Sequence, residues 1–138
     1  MQLKKKLQVA QNKLVRTVMG LGPRDHVGKN QLQGLGWLTV EARVTQLRLT
    51  LVHRIVNGSP PNYLINYFPR VGDTHNYRTR ASLADLQPVR CRIEMGKTSF
   101  AVIGAQQWNK LPLDIKLTTG KNNFKTKIKA WLTDSIPE

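Results

Sequence analysis

The stretch TVEARVTQLRLTLVHRIVN, residues 39–57, decides the fold. Val40, Val44, Leu47, Leu51 and Ile55 recur at helical spacing, and Val52 and Val56 widen the stripe. So broad an apolar arc implies a helix covered on more than one side. Thr39 stands where a helix is capped and Glu41 in its positively polarised first turn, and Gly58 is expected to supply a left-handed residue beyond the end. This helix is therefore the expected centre of the core. Arg43 and Arg54 flank its edge. Arg48, inside the arc, is expected to snorkel outwards along its aliphatic stem; the alternative is a buried guanidinium held by a carboxylate, carbonyls or a phosphate.

Upstream, residues 3–19 read as an amphipathic helix with Leu3, Leu7, Ala10, Leu14 and Val18 on one stripe and Gly20, Gly22 and Pro23 ending it. Lys5 and Arg16 lie opposite, with Lys6 and Lys13 at the flank, as a solvated face or as a basic ridge laid along phosphates. Downstream, Ser59-Pro60-Pro61 is a turn into a short helix reaching Tyr67, and residues 70–76 form a loop. In Val89-Arg90-Cys91-Arg92-Ile93 the apolar residues alternate, as on one face of a strand. Ser99 is placed to cap a helix reaching Trp108, and a last helix runs from Asn122 to Thr133 with Phe124, Ile128, Trp131 and Leu132 inward. The expected fold is mainly helical α+β: helices around residues 39–57 plus a small antiparallel sheet of two or three strands over residues 76–95. The 138 residues make one domain, with residues 1–22 as a basic amphipathic helix able to stand partly apart.

Charge is the louder signal. Lys and Arg number 22 against 8 Asp and Glu, a net charge of +14. Such an excess repels itself in a folded chain and points first to a nucleic acid partner, then to an anionic membrane, then to solubility or drift. The ends are Lys-rich, whereas residues 31–109 hold eight Arg and only Lys97. Arginine suits bidentate, partly desolvated phosphate contacts, and lysine acts as a hydrated point charge. Cys91 is the single cysteine, so no intramolecular disulfide forms. No run of about 18 apolar residues and no secretory signal occurs, which leads to an expectation of no membrane and a nuclear or cytoplasmic, intracellular location.

Catalytic patterns are missing. Asp25, Asp73, Asp85, Asp114 and Asp134 are scattered, whereas two-metal chemistry needs converging carboxylates. His26, His53 and His75 lack zinc-ligand spacing, and Gly96-Lys97-Thr98 lacks the glycine that a phosphate loop requires at its fixed offset. No enzyme activity, metal, cofactor or small-molecule substrate is expected.

Several strings then resemble one family in order and spacing. LQVAQN at residues 7–12 with Val15-Arg16, LGWLTVEAR at 35–43, NGSPPNYL at 57–64, YRTR at 77–80, WNKLP at 108–112 and FKTKIK at 124–129 resemble the segment that follows the polymerase in LINE-type (non-LTR) retrotransposon reverse transcriptases. Two departures are Thr39, where proline is usual, and the approximate match of Gly96 to Phe100 to a "G-x-x-SF" step. The resemblance implies a non-catalytic tail that helps grip template RNA and target DNA, beside the polymerase domain, in target-primed reverse transcription. It equally implies a fragment, a decayed copy or a domesticated remnant.

Residue by residue, Trp37, Trp108, Trp131, Tyr63 and Phe124 are expected in the core, and Asn109 at a helix end bonding backbone groups. Arg78 and Arg80 alternate on an extended segment beside Tyr77, which suits a single-stranded backbone and an unstacked base; a charge-protected edge strand is the other reading. Arg90 and Arg92 come second, and Lys5, Lys6, Lys13 and Arg16 third. The expected partner is RNA or DNA, single-stranded by preference. The alternatives are a scaffold packed on the polymerase through apolar surfaces and an inert transposon-derived remnant.

Overall fold

A computed structural model of the chain describes residues 2–58, 60–74, 76 and 79–135. Nine α-helical segments lie among them. The longer ones are α1 (Gln2–Met19), α3 (Val40–Asn57), α7 (Phe100–Asn109) and α9 (Lys121–Asp134). Between these are the shorter α2 (Lys29–Gly34), α4 (Val71–Thr74), α5 (Arg80–Ala84), α6 (Glu94–Lys97) and α8 (Leu113–Lys116), and a 3-10 helix over Asn62–Tyr67. Packing divides the chain into two compact units, residues 1–46 with 129–138 and residues 47–128.

In the first unit, α1 packs on α2 and meets the start of α3 through its glutamines rather than its leucines. The Gln8 Oε1 accepts from the Val40 backbone N–H at 2.9 Å, and Gln11 Nε2 donates to the Leu38 carbonyl at 2.7 Å. Val15 is the one described α1 residue that is buried. The expected inward stripe is instead in solvent: Leu3, Leu7, Ala10, Leu14 and Val18 are all exposed. At about 100° per residue, α1 thus has a docked side around Gln8, Gln11 and Val15, a basic side with Lys5, Lys6, Lys13 and Arg16, and an uncovered apolar side.

The second unit is organised by stacked rings. His53 of α3 lies on Phe124 of α9, with centroids 4.1 Å apart and planes at 21°, and Trp108 of α7 lies beside Phe124 at 5.8 Å and 25°. Phe100 meets Phe68 edge-on at 5.3 Å. Within α3, Ala42, Gln46, Leu49 and His53 are buried along one line, and Val52 and Ile55 of the expected arc are buried as well, while Leu47 and Leu51 of the expected stripe are exposed. Two members of that line are polar and satisfied. His53 Nε2 lies 2.9 Å from the Thr118 carbonyl, which can only accept, so that nitrogen carries the proton, and Arg43 donates to Gln46 Oε1 at 2.6 Å. The helix opens as expected, on a bond from the Ala42 N–H to Thr39 Oγ1 at 3.2 Å. Its end differs from expectation: Gly58 is not left-handed, but a Cβ there would lie 2.6 Å from the Arg54 carbonyl oxygen, so glycine is required for close approach.

The antiparallel sheet expected over residues 76–95 does not form among the described residues. One isolated antiparallel bridge, Arg70 with Leu86, stands in its place, and the class is mainly helical rather than α+β. Two local arrangements supply the reason. Thr79 and Ser82 cap α5 reciprocally: the Ser82 N–H donates to Thr79 Oγ1 at 3.1 Å, and the Thr79 N–H to Ser82 Oγ at 2.8 Å. Farther on, the Asn109 side chain takes the place of a partner strand for buried Leu86. Its Oδ1 accepts from the Leu86 N–H at 2.9 Å and its Nδ2 donates to the Leu86 carbonyl at 2.8 Å. Val89 and Ile93, alternating without a partner strand, are exposed.

Candidate phosphate-binding cleft

A cleft of about 460 Å³ opens in the 47–128 unit, and its wall includes Arg54, Arg70, Lys116, Thr119 and Lys121. No carboxylate side chain lines it among the described residues. Each cation arrives by a different route. Arg54 is exposed in the last turn of α3. Arg70 reaches back to the carbonyl end of α3, where it donates to the Val56 carbonyl at 3.1 Å and to Asn57 Oδ1 at 3.2 Å. Lys116, at the end of α8, is buried and bonded to Asp85 Oδ1 at 2.6 Å and the Asn109 carbonyl at 3.0 Å. Lys121 begins α9 and is exposed.

The loop before α9 is held from beneath. His53 holds the Thr118 carbonyl, and Thr118 Oγ1 donates to the Asp114 carbonyl at 2.9 Å. Helix α9 then opens at its positively polarised end with Lys121 and with no acidic residue in its first turn. A cation there is unfavourable by itself, whereas an anion is stabilised by the unpaired N–H groups. Arg54 and Lys121 make no ion pair among the described residues. The wall thus carries Arg54 and Lys121, the first residue of α9, both outside any ion pair among the described residues, together with Thr119, and Val56, Leu83 and Leu117 provide apolar wall.

The residues picked from sequence lie elsewhere. Tyr77 and Arg78 fall outside the described residues. Arg80 begins α5 and is exposed on a helix rather than on an extended strand. Arg90 and Arg92 are exposed in an irregular segment, without the expected strand. Lys5, Lys6 and Lys13 are exposed along α1, while Arg16 is half-buried and donates through Nε to the Asp25 carbonyl at 2.9 Å. Arg48 is half-buried and bonded to Gln107 at 2.9 Å. Of the aromatic residues expected in the core, Trp108 and Phe124 are buried and Trp131 half-buried, whereas Trp37 and Tyr63 are exposed. The cleft residues Arg70, Lys116 and Lys121 carried no sequence signal beyond their charge. For Arg54, its position in the last turn of the central helix was the available hint.

Comparison with protein-family models, curated protein sequences and solved structures finds no match for this chain. Among the described residues, no group of three or more His, Cys, Asp or Glu side chains is placed to hold a metal ion, and no helix is long and apolar enough to cross a membrane.

Proposed function

We propose that this chain binds nucleic acid through its phosphates, as a non-catalytic segment of the kind that follows the polymerase in LINE-type reverse transcriptases. The observation that carries the reading is the cleft: among the described residues four cations line it, one of them, Lys116, paired with Asp85, and no carboxylate side chain lines it, in a chain of net charge +14. The motif resemblance also gains physical content. In WNKLP, Trp108 and Asn109 fasten the backbone of residues 84–86, and in LQVAQN the two glutamines fasten the start of α3.

Replacing Arg54 and Lys121 together with alanine tests the reading. Binding of labelled single-stranded RNA or DNA, followed over a series of salt concentrations, should lose about 1.4 from its log–log salt slope, since each phosphate contact contributes roughly 0.7 on single strands. Affinity at moderate salt should fall at least about tenfold. An unchanged slope would remove the cleft from the interface. The same titration on Arg80→Ala with Arg90→Ala and Arg92→Ala separates the cleft from the sequence-derived sites.

A second reading, a protein-docking role, is favoured by the uncovered stripe Leu3, Leu7, Leu14 and Val18 on α1. Contiguous exposed apolar surface of this kind marks interaction sites. The isolated chain should then self-associate on sedimentation, and Leu7→Lys with Leu14→Lys should make it monomeric while shifting urea stability by no more than about 0.5 kcal/mol. A wild-type chain that stays monomeric at high concentration would count against this role.

A further inference from the structure

We propose that a groove in the other unit, holding Trp37, Arg43 and Lys129, is a stacking site for one unpaired nucleobase. This rests on the nucleic-acid reading and adds to it a preference for single strands.

Trp37 is the most exposed of the three tryptophans, at 36% against 1% for Trp108, with Trp131 half-buried. Its indole N–H has no partner among the described residues. The backbone beneath it is nevertheless pinned. Gly36, at φ +65°, closes α2 with paired bonds, from the Gly36 N–H to the Gln33 carbonyl at 2.9 Å and from the Trp37 N–H to the Leu32 carbonyl at 2.8 Å. One residue on, the Leu38 side chain is buried and its carbonyl is held by Gln11; Gln8 then holds the Val40 N–H. Trp37 is thus about one-third exposed on a backbone that is already fixed, so stacking on it orders little beyond its own side chain.

The surroundings suit a nucleotide. The groove has a volume of about 350 Å³, with Leu38, Val40 and Val44 as an apolar floor. Arg43 and Lys129, both exposed, stand on its wall, and among the described residues no carboxylate side chain does. The Lys129 ammonium lies 3.8 Å from where a Cβ on Gly36 would be, next to the tryptophan in the chain. Arg43 gives one N–H to Gln46 Oε1 and has others to offer. An aromatic face with adjacent cations is what a base and its flanking phosphates require. A paired base in a duplex has both faces covered by its neighbours and cannot use such a platform without being flipped out.

The test uses the full chain with a single-stranded oligouridine, a duplex of matched length and an abasic single strand. Oligouridine should quench tryptophan fluorescence, and Trp37→Ala should weaken its binding roughly tenfold. The same substitution should leave duplex and abasic binding unchanged, and Trp37→Phe should recover most of the affinity. Lys129→Glu, a surface change that spares the ring, should weaken the two single strands alike. Equal losses on all three nucleic acids in Trp37→Ala, or no loss on oligouridine, would overturn the stacking site. Competition by polyglutamate that depends on Trp37 rather than on Lys129 would overturn it in favour of an acidic protein segment. If Arg54→Ala with Lys121→Ala weakens oligouridine binding and Trp37→Ala does not, the stacking site fails and the phosphate reading stands. If the wild-type chain binds no strand at low salt, both fail.

Discussion

Trp108→Ala should destabilise the 47–128 unit by about 3–5 kcal/mol, a large share of the ~5–15 kcal/mol available to a typical domain. The indole is nearly inaccessible, lies beside Phe124 and His53, and donates Nε1–H to the Ala84 carbonyl at 2.8 Å. Alanine removes the ring volume and leaves that buried carbonyl without its donor. Trp108→Phe separates the two effects: it keeps an aromatic ring against Phe124 but loses the N–H, so a loss of about 1–3 kcal/mol is expected. Urea unfolding followed by circular dichroism measures both. A loss below about 1 kcal/mol for the alanine variant would mean that Trp108 does not anchor this unit. Because the same bond secures residues 84–86, the Asp85 carboxylate should also lose its fixed position on Lys116.

How far the sequence was legible follows from where its polar residues went. The long helices at residues 2–19, 40–57, 100–109 and 121–134 were readable from period, caps and breakers, and the three buried residues of α9, Phe124, Ile128 and Leu132, fell on the expected stripe. The apolar face of α1 was misread and that of α3 only in part, since Val52 and Ile55 are buried as expected but Leu47 and Leu51 are exposed; hydrophobic period assumes that apolar residues point inward. In α1 two glutamines make the tertiary contacts, and in α3 the buried face includes the polar Gln46 and His53, which an apolar period does not count. The sheet failed for a related reason. Alternation over residues 89–93 marks a strand only when another strand pairs with it, and for Leu86 that role is taken by one asparagine side chain 23 residues away. The net charge was legible, but the cleft that gathers Arg54, Arg70, Lys116 and Lys121 depends on tertiary folding, which leaves no local spacing to read.

Asp85→Ala should move stability and anion affinity in opposite directions. The Lys116 side chain is 6% exposed and that of Asp85 35%, so the substitution strands an ammonium that keeps, among the described residues, only the Asn109 carbonyl as acceptor. Removing one partner of a buried pair typically costs 3–5 kcal/mol; the partial exposure of Asp85 admits water, which puts the expectation near the lower end, about 3 kcal/mol. Lys116→Met with Asp85→Leu removes both charges and should recover much of that loss, because the destabilising species is the unpaired ion rather than the missing bridge. Binding responds to the charge itself. Without Asp85, Lys116 is an uncompensated cation on the cleft wall. Single-stranded nucleic acid should therefore bind a few-fold more tightly, with a salt slope steeper by up to about 0.7 for one added phosphate contact. A merely structural cleft predicts the opposite, since loosening residues 84–86 would weaken any binding along with the fold. Salt titrations of folded Asp85→Ala, held at a temperature where circular dichroism shows it native, decide between the two. Tighter and steeper binding assigns Lys116 to the phosphate surface, and weaker binding reduces the Lys116–Asp85 pair to a clamp between α8 and the residue that follows α5.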